Sequence, residues 1–313
     1  MRIAFYVYKE LNVGKERETE IVESFRLGVG RNGDQIEFFP AKNYVGALRG
    51  FDVVCGVGLR QHARRILKSY RRIGTRVLLF DKGLIRTRNI SLYNRIGLDS
   101  GVPNKYMMRI VRSDDRWKKL MRVHRQNDRY KVFEIEVRPR RNWTPDNPII
   151  YANNSQKVHD FWGMGNEREY TQRIMADLEN RAGIRPLVFR PKPGLLNHYK
   201  SGEMPSYDLP GVRISEQPEM IEDALVGSHV LVTHTSNTAV NAIIAGIPAI
   251  VTGPCVASVL CSHSLDDLDN PPFPSDEQRM QWLYNLAYCQ WSDAEMASGE
   301  MWAFFKEELA ATA

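Results

Sequence analysis

A run of small hydroxyl and amide side chains interrupts an apolar stretch in the second half of the sequence. The segment Val230–Val251 begins as a strand pattern, passes through polar residues and continues as a helix pattern that Gly246 stops. Small donors where a helix begins suit a phosphate, because the first backbone N–H groups of a helix have no partner within it. The four donors are Thr235, Ser236, Asn237 and Thr238. Ordinary helix capping by Ser236 or Asn237 is the alternative, and it accounts for one of the four.

This segment resembles the donor-side motif of glycosyltransferases with the GT-B fold, of both the capsular-polysaccharide type and the phage DNA-modifying type. The resemblance rests on the sequence His-Thr-Ser-Asn-Thr at 234–238 and Ala-Gly-Ile-Pro-Ala-Ile-Val at 245–251, and it extends over most of residues 150–310. It implies that the small residues contact the diphosphate of a nucleotide sugar. In that family the helix often carries a Glu that contacts the ribose, whereas this sequence has Asn241 near that position.

Other polar side chains follow predicted strands of the same half. Ligands of open α/β sheets bind beyond the carboxyl ends of the strands, so we expect these side chains to contact the donor nucleotide sugar. Prolines 191 and 193 stiffen the loop that carries two of the cations, and a solvated basic loop is the alternative. A plain loop charge is the alternative for the carboxylate. The set is Asn154, Ser155, Lys157, Arg190, Lys192 and Glu216.

Asp81, in the sequence Phe-Asp-Lys-Gly at the end of a first-half strand, is the candidate catalytic base. Sugar transfer with inversion needs one base that deprotonates the acceptor hydroxyl. Asp81 as a cap of the turn beside Gly83 is the alternative, and His124, His159 and Asp160 are further candidates. No Asp-x-Asp dyad stands at a strand end, so we expect a metal-independent reaction without a cofactor, in which cations and the helix start stabilise the leaving diphosphate.

A basic segment suggests the acceptor. Residues 105–145 hold 13 Lys and Arg against 5 Asp and Glu, interleaved with five aromatic residues. Cations with interleaved rings suit nucleic acid, although a solvated surface over core aromatics is the alternative. The rings are Tyr106, Trp117, Tyr130, Phe133 and Trp143. The predicted DNA contacts are Arg86, Arg88, Arg95, Lys118, Lys119, Arg122 and Arg125.

The net charge of +6 is unevenly distributed along the chain. Residues 1–150 hold 32 basic and 16 acidic side chains, whereas residues 151–313 hold 11 and 21. This asymmetry predicts that the first half meets a polyanion, and the alternative is that the two halves attract each other. No apolar run reaches the length of a membrane span, and the four cysteines show no metal-binding spacing. We therefore expect a cytoplasmic protein, in the host cytoplasm if it is encoded by a phage.

The elements that must position these residues alternate between strands and helices. First-half strands are predicted at 2–8, 35–39, 52–57 and 75–80, with helices at 16–30 and 61–73. Second-half strands are predicted at 148–151, 186–189, 212–214, 229–233 and 248–252, with helices at 167–182, 220–225, 236–245, 276–288 and 293–309. This order indicates an α/β fold with two doubly wound, Rossmann-like domains that face a central cleft. The predicted parts are an acceptor domain 1–147, a nucleotide-sugar domain 148–290, and a helix 291–313 that packs back on the first.

The leading hypothesis is a monomeric glycosyltransferase that moves a sugar, glucose from UDP-glucose first, to the hydroxyl of a 5-hydroxymethylpyrimidine in phage DNA. A target base within a duplex must then be flipped out of the stack. Its partners are the nucleotide sugar and the hydroxymethylated DNA. Two alternatives stay open: a transferase that acts on a cell-surface polysaccharide or lipid-linked glycan, and a non-catalytic nucleic-acid-binding protein with the GT-B fold.

Overall fold

The computed structural model describes residues 1–7, 17–58, 62–85, 93–99, 124–144, 146–192, 212–214, 221–253 and 255–311. The chain forms two compact units: Met1–Met107 with Leu286–Ala313, and Met108–Asn285. Each unit contains its own sheet. The described helices are α1 (Arg17–Arg31), α2 (Ala63–Arg72), α3 (Asp128–Lys131), α4 (Gln156–Trp162), α5 (Glu167–Arg181), α6 (Ile221–Ala224), α7 (Thr238–Ile244), α8 (Asp276–Ala287), α9 (Asp293–Ser298) and α10 (Glu300–Ala311).

Sheet A of the first unit has six strands. They are β1 (Arg2–Val7), β2 (Gln35–Pro40), β3 (Val53–Val57), β4 (Arg76–Lys82), β5 (Tyr93–Asp99) and β11 (Gln290–Ser292), in the spatial order β11-β5-β4-β3-β1-β2. The first four strands are parallel. The apolar sequences of β1 and β3 suit burial on both faces, whereas the edge strand β2 exposes Gln35 and Glu37. Strands β5 and β11 add an antiparallel edge that the sequence analysis did not predict.

Alternating side chains of β1 divide between two cores. Phe5 packs with Phe25 of α1 and Trp302 of α10 on one face of sheet A. Tyr6 packs with Tyr70 of α2 on the other face, where the two hydroxyls lie 2.9 Å apart. Each face of the sheet is thereby covered by helices, which is the doubly wound arrangement.

The prediction of a single helix over residues 293–309 is wrong, because the structure has two helices there. The segment is divided at Gly299, whose φ of +91° ends α9 in the left-handed region. The carbonyl oxygen of Gly299 accepts a hydrogen bond of 3.0 Å from the Asn32 side chain. Both resulting helices lie in the first unit, together with residues 1–107.

Sheet B of the second unit is entirely parallel. Its strands are β6 (Ile149–Ala152), β7 (Leu187–Arg190), β8 (Val212–Ile214), β9 (Val230–Thr233) and β10 (Ala249–Val251), in the spatial order β10-β9-β6-β7-β8. The chain runs from β6 outward through β7 to β8, and from β9 outward to β10 on the other side. The strand order therefore reverses between β6 and β9, which makes this pair a topological switch point. The fold class is α/β with two Rossmann-like units, as the sequence predicted.

The boundary between the units lies at residues 107 and 108, whereas the sequence analysis placed it at 147 and 148. Residues 124–144 pack within the second unit: the backbone N–H groups of Arg138 and Arg141 donate to the carbonyl oxygens of Ile244 and Gly246, at 2.9 and 3.0 Å. Moving this basic stretch changes the charge distribution. The first unit now holds 21 basic and 15 acidic residues, and the second holds 22 of each.

Candidate functional site

The carboxyl edge of sheet B brings predicted donor-site residues together at the switch point. Asn154 follows β6 and Thr235 follows β9, and the Thr235 hydroxyl donates a hydrogen bond of 3.0 Å to Asn154 Oδ1. The Asn154 side chain is buried. Because the strands are parallel neighbours, two residues 81 positions apart in the chain meet where α/β sheets commonly bind ligands.

A second set of contacts joins the loops after β6 and β7. Asn153 Oδ1 accepts a hydrogen bond of 2.9 Å from the backbone N–H of Lys192, and its amide nitrogen donates to the carboxylate of Glu167. The Lys192 ammonium group lies 3.5 Å from Ser155 Oγ. Lys192 and Ser155, both predicted donor contacts, are therefore neighbours. The sequence analysis missed Asn153 and Glu167, which hold the two loops in place.

The polar run at 235–238 is arranged differently from the prediction. Helix α7 begins at Thr238, two residues later than predicted, and it has only seven residues. Ser236 Oγ accepts a hydrogen bond of 3.2 Å from the Thr238 backbone N–H, two residues further on, whereas Asn237, at the N-cap position, makes no side-chain capping hydrogen bond. Thr238 Oγ1 is buried and has no hydrogen-bond partner among the described residues. Thr238 Oγ1, rather than a long helix dipole, is therefore the donor of this run that an anion could use.

A histidine and tyrosine cluster lies beside this run. The Tyr170 hydroxyl lies 2.8 Å from His234 Nδ1, which is also 3.1 Å from Thr252 Oγ1. A Cβ built on Gly253 would overlap the His234 ring, so the position after Thr252 requires glycine. The sequence analysis singled out neither Tyr170 nor Thr252. Gly253, directly after a buried strand, was the available signal of a close approach.

His159, one of the further candidates for a base, is only 1% exposed. Its ring packs edge-on against Tyr170 at 5.2 Å, and its Nδ1 atom has no hydrogen-bond partner in the described structure. Burial lowers the pKa of His159, although Asp160 and a hydrogen bond to the Gly165 backbone act in the opposite direction. The imidazole is therefore a buried neutral group rather than an exposed base.

Other predicted donor-site residues differ in exposure. Arg190 is 8% exposed and occupies the last position of β7, opposite Ala152 of β6 in the strand register. Lys157, on α4, is exposed, as is Lys192. Glu216 lies outside the described residues.

Asp81, the predicted base, lies in the first unit and within a strand. Strand β4 continues to Lys82, two residues further than predicted, and the Cα atom of Asp81 is paired with that of Arg95 on β5. Phe80 beside it is fully buried, whereas Asp81 is partly exposed. Its catalytic role stays a prediction.

Of the predicted DNA contacts, Arg125 is the one with a described side-chain environment, and its backbone N–H donates to Asn285 Oδ1 at 3.2 Å. Nδ1 of the neighbouring His124 lies 3.2 Å from Gln281 Oε1, and Gln281 and Asn285 both belong to α8. Arg95 is described only by its place on β5. Outside the described residues lie Arg86, Arg88, Lys118, Lys119 and Arg122.

Three aromatic rings of the basic segment pack inside the second unit. Phe133 is 2% exposed, and the Tyr130 ring lies 5.5 Å from that of Tyr284. Trp143 contacts the His229 ring at 4.4 Å, and the Arg185 guanidinium lies 4.8 Å from the centre of its ring. Tyr130 and Phe133 are buried and act as core aromatics, which was the alternative, whereas Trp143 is half-buried. Tyr106 and Trp117 lie outside the described residues.

The described residues hold neither a metal-binding cluster nor a membrane-spanning helix. No group of three or more His, Cys, Asp and Glu side chains in those parts of the chain is arranged to hold a metal ion. None of the described helices combines the length and apolar character that crossing a membrane requires.

Comparison with solved structures identifies the fold. The β-Kdo 2,7 transferase of KpsC from Thermosulfurimonas dismutans has a TM-score of 0.51 and 12% identity, over 97% of this chain and 100% of that chain. The β-Kdo 2,4 transferase of the same KpsC has a TM-score of 0.50 and 16% identity, over 91% and 90%. No family model and no curated protein sequence matches. At these identities the likeness establishes the GT-B fold, and the reaction is a separate inference.

Proposed function

We propose that the chain is a glycosyltransferase that binds a nucleotide sugar at the carboxyl edge of sheet B. The hydrogen bond between Thr235 and Asn154, at the switch point between β6 and β9, carries this proposal. This hydrogen bond supports a donor site because two residues predicted to contact the donor, from separate segments of the sequence, meet at the sheet edge where this topology binds ligands. The GT-B fold shared with two sugar transferases adds support.

The side chains at this edge suit a phosphorylated leaving group. Lys192 supplies a positive charge near Ser155, and Thr235 and Asn154 supply a hydroxyl and an amide. Such fixed donors stabilise charge that develops on a departing nucleotide phosphate. Transfer is proposed to be metal-independent, since the sequence has no Asp-x-Asp dyad at a strand end. Asp81 remains the candidate base for the acceptor hydroxyl.

The acceptor that we favour is a cell-surface polysaccharide or lipid-linked glycan, which the sequence analysis held as an alternative. Both similar structures are named as Kdo transferases of KpsC. Two supports for a DNA acceptor have weakened. The charge asymmetry does not follow the structural units, and the Tyr130 and Phe133 rings of the basic segment are buried in the second unit. Hydroxymethylated DNA stays the second candidate, on the strength of the 13 basic residues in 105–145.

The donor site is tested with Thr235→Val, which removes the hydroxyl and keeps the side-chain shape. We expect kcat/KM for the nucleotide sugar to fall about fivefold, because one hydrogen bond of roughly 1 kcal/mol is lost. Ser298→Ala removes an exposed hydroxyl in the first unit and is the matched control. Release of nucleotide from UDP-glucose, UDP-GlcNAc and activated Kdo is the readout. Failure of the wild-type protein to bind or turn over any nucleotide sugar would overturn the proposal.

The acceptor is tested by offering oligosaccharide acceptors and hydroxymethylated DNA side by side with each donor. We expect mass spectrometry to show a sugar added to an oligosaccharide and none added to the DNA. A mass gain on the DNA alone would reverse the order of the two acceptor candidates while leaving the transferase assignment in place.

A further inference from the structure

The charges of the first unit are separated between the two faces of sheet A. Residues 38–80, which include α2, contain nine Lys and Arg and one acidic residue, Asp52. Residues 17–34 and 293–311, which include α1, α9 and α10, contain four Lys and Arg and nine Asp and Glu. Helix α2 packs on one face of the sheet and the other three helices contribute to the core on the opposite face. Among the side chains that the structure describes, the first set has six Lys and Arg against one Asp, and the second has three Lys and Arg against seven Asp and Glu. In this described part, the side with α2 is basic and the other is acidic.

Arg65 and Arg72 of helix α2 point outward because the apolar residues of the helix pack in the core. Ile66, Leu67 and Tyr70 are buried against the sheet. Arg65 and Arg72, two turns apart on the helix, are exposed. The helix thereby offers positive charge to whatever the surface meets.

The loop at residues 44–50 extends this surface. The Arg65 guanidinium lies 5.4 Å from the centre of the Tyr44 ring, which places the loop alongside α2. The loop exposes Val45, at 89%, and Leu48, while Ile73 is exposed just after the helix. We call Val45, Leu48, Arg49, Arg65, Arg72 and Ile73 the basic face.

The acidic groups near the basic face are already engaged. Asp52 Oδ2 accepts a hydrogen bond of 2.7 Å from the Arg2 backbone N–H. Glu37, on β2, forms an ion pair of 2.8 Å with the Arg2 guanidinium. Neither carboxylate therefore cancels the charge of Arg65 or Arg72 directly.

A cavity of about 380 Å³ opens beside the basic face. Arg49, Ile73 and Arg76 line it, together with the glycines at 50 and 74. Its lining also includes Asp52, whose carboxylate accepts the hydrogen bond from the Arg2 backbone N–H, so the cations of the lining outnumber its acidic groups. Its volume is enough for a small anionic head group.

We propose that the basic face docks on a bilayer surface rich in anionic phospholipid. Cations alone would serve any polyanion, including a phosphodiester backbone. Exposed aliphatic side chains among the cations favour the bilayer, because they gain free energy on entering the interface while the arginines meet the head groups. This interaction does not depend on the proposed transferase activity.

The test is sedimentation of the full chain with vesicles of phosphatidylcholine alone, or with about a third of the lipid replaced by phosphatidylglycerol. We expect binding to the anionic vesicles only, weakened by salt. Arg65→Gln with Arg72→Gln should weaken that binding about tenfold or more. The control is Arg26→Gln with Arg31→Gln, which removes the same charge from the acidic side. All variants are first checked for wild-type thermal unfolding.

The apolar contribution is tested with Val45→Ser and Leu48→Ser together. We expect about a fivefold or greater loss of vesicle binding, because two exposed aliphatic groups are removed at constant charge. Ile184→Ser with Val226→Ser, two exposed positions in the second unit, is the control. Absence of vesicle binding, or equal losses in test and control variants, would overturn the proposal. The proposal would also be overturned if the protein bound a DNA duplex as tightly as the anionic vesicles, with that DNA binding weakened by the Arg65 and Arg72 substitutions and unchanged by the Val45 and Leu48 substitutions.

Discussion

His159, which the sequence offers as a further candidate for the base, is buried in the fold. Its side chain is packed between the loop at Gly165 and the Tyr170 ring, and burial lowers its pKa. His229 is likewise buried, its Nε2 donates to the Leu268 carbonyl oxygen at 2.7 Å, and burial again lowers its pKa. Both imidazoles favour the neutral form in the folded state. In mildly acidic solution the folded protein therefore binds fewer protons than the unfolded chain.

This difference predicts a pH-dependent stability. The unfolded histidines titrate near pH 6.5, and the folded ones titrate lower. The free energy of unfolding should therefore be highest above pH 6.5 and fall as the pH decreases from there toward the folded pKa values. In the variant His159→Phe, which retains a ring beside Tyr170, this decline should be shallower in urea unfolding measured from pH 8 to pH 5. The slope above pH 7, where both histidines are neutral in both states, is the internal control, and an unchanged decline would contradict the assignment.

The sequence predicted the part of the site that depends on strand exits. Asn154 and Thr235 each follow an apolar strand, and parallel pairing brings such positions to one edge. Glu167 and Tyr170 were missed because they reach this edge from one face of α5. Which face of a helix meets a loop depends on tertiary packing, and no single segment of sequence encodes it.

At the scale of elements, the contact between α1 and α9 in the first unit depends on one glycine. A Cβ built on Gly28 would overlap the Met296 carbonyl oxygen, whereas a Cβ on Gly30 would have no atom within 4 Å. Both glycines lie in α1, which makes them a matched pair. Gly28 is buried under α9, and Gly30 is exposed.

We predict opposite effects for alanine at these two positions. Gly28→Ala should lower the free energy of unfolding by about 1–3 kcal/mol, because backbone or helix must move to relieve the overlap. Gly30→Ala should raise it by about 0.5–1 kcal/mol, because alanine favours the helix. Chemical unfolding followed by circular dichroism measures both. Equal effects of the two substitutions would show that α9 does not approach α1 this closely.

Strands and helices of the parallel core were predictable because their apolar patterns are continuous. The antiparallel edge could not be predicted in this way. Strand β11 has only three residues, and the seven residues of β5 include charged residues and a glycine among the apolar ones. The division between α9 and α10 was also missed. Gly299 lies within an otherwise helical pattern, and an isolated glycine in such a pattern does not by itself show that the helix ends there.

At the scale of the whole molecule, the charge asymmetry of the sequence depended on where the chain was cut. The cut before Tyr151 assigned residues 108–150 to a basic half, but the structure includes all of them in the second unit. With that segment moved, the second unit is neutral by count. The remaining separation lies between the two faces of the first unit, and it is therefore a property of its surface rather than of the domain order.

The unit boundary can be tested with two fragments, 108–288 and 148–288. The shorter one lacks Arg138, whose carbonyl oxygen accepts a hydrogen bond of 2.7 Å from the buried Arg279 guanidinium, and it lacks the buried Phe133 ring. Loss of a hydrogen-bond partner of the buried Arg279 guanidinium should lower the free energy of unfolding by about 1–3 kcal/mol. Exposure of the apolar surface that Phe133 covers should lower it by about as much. We therefore expect 108–288 to unfold cooperatively in urea and 148–288 to be less stable by several kcal/mol, or unfolded. Equal stability of the two fragments would restore the boundary at 147 and 148, and with it the basic first domain on which a DNA acceptor depends.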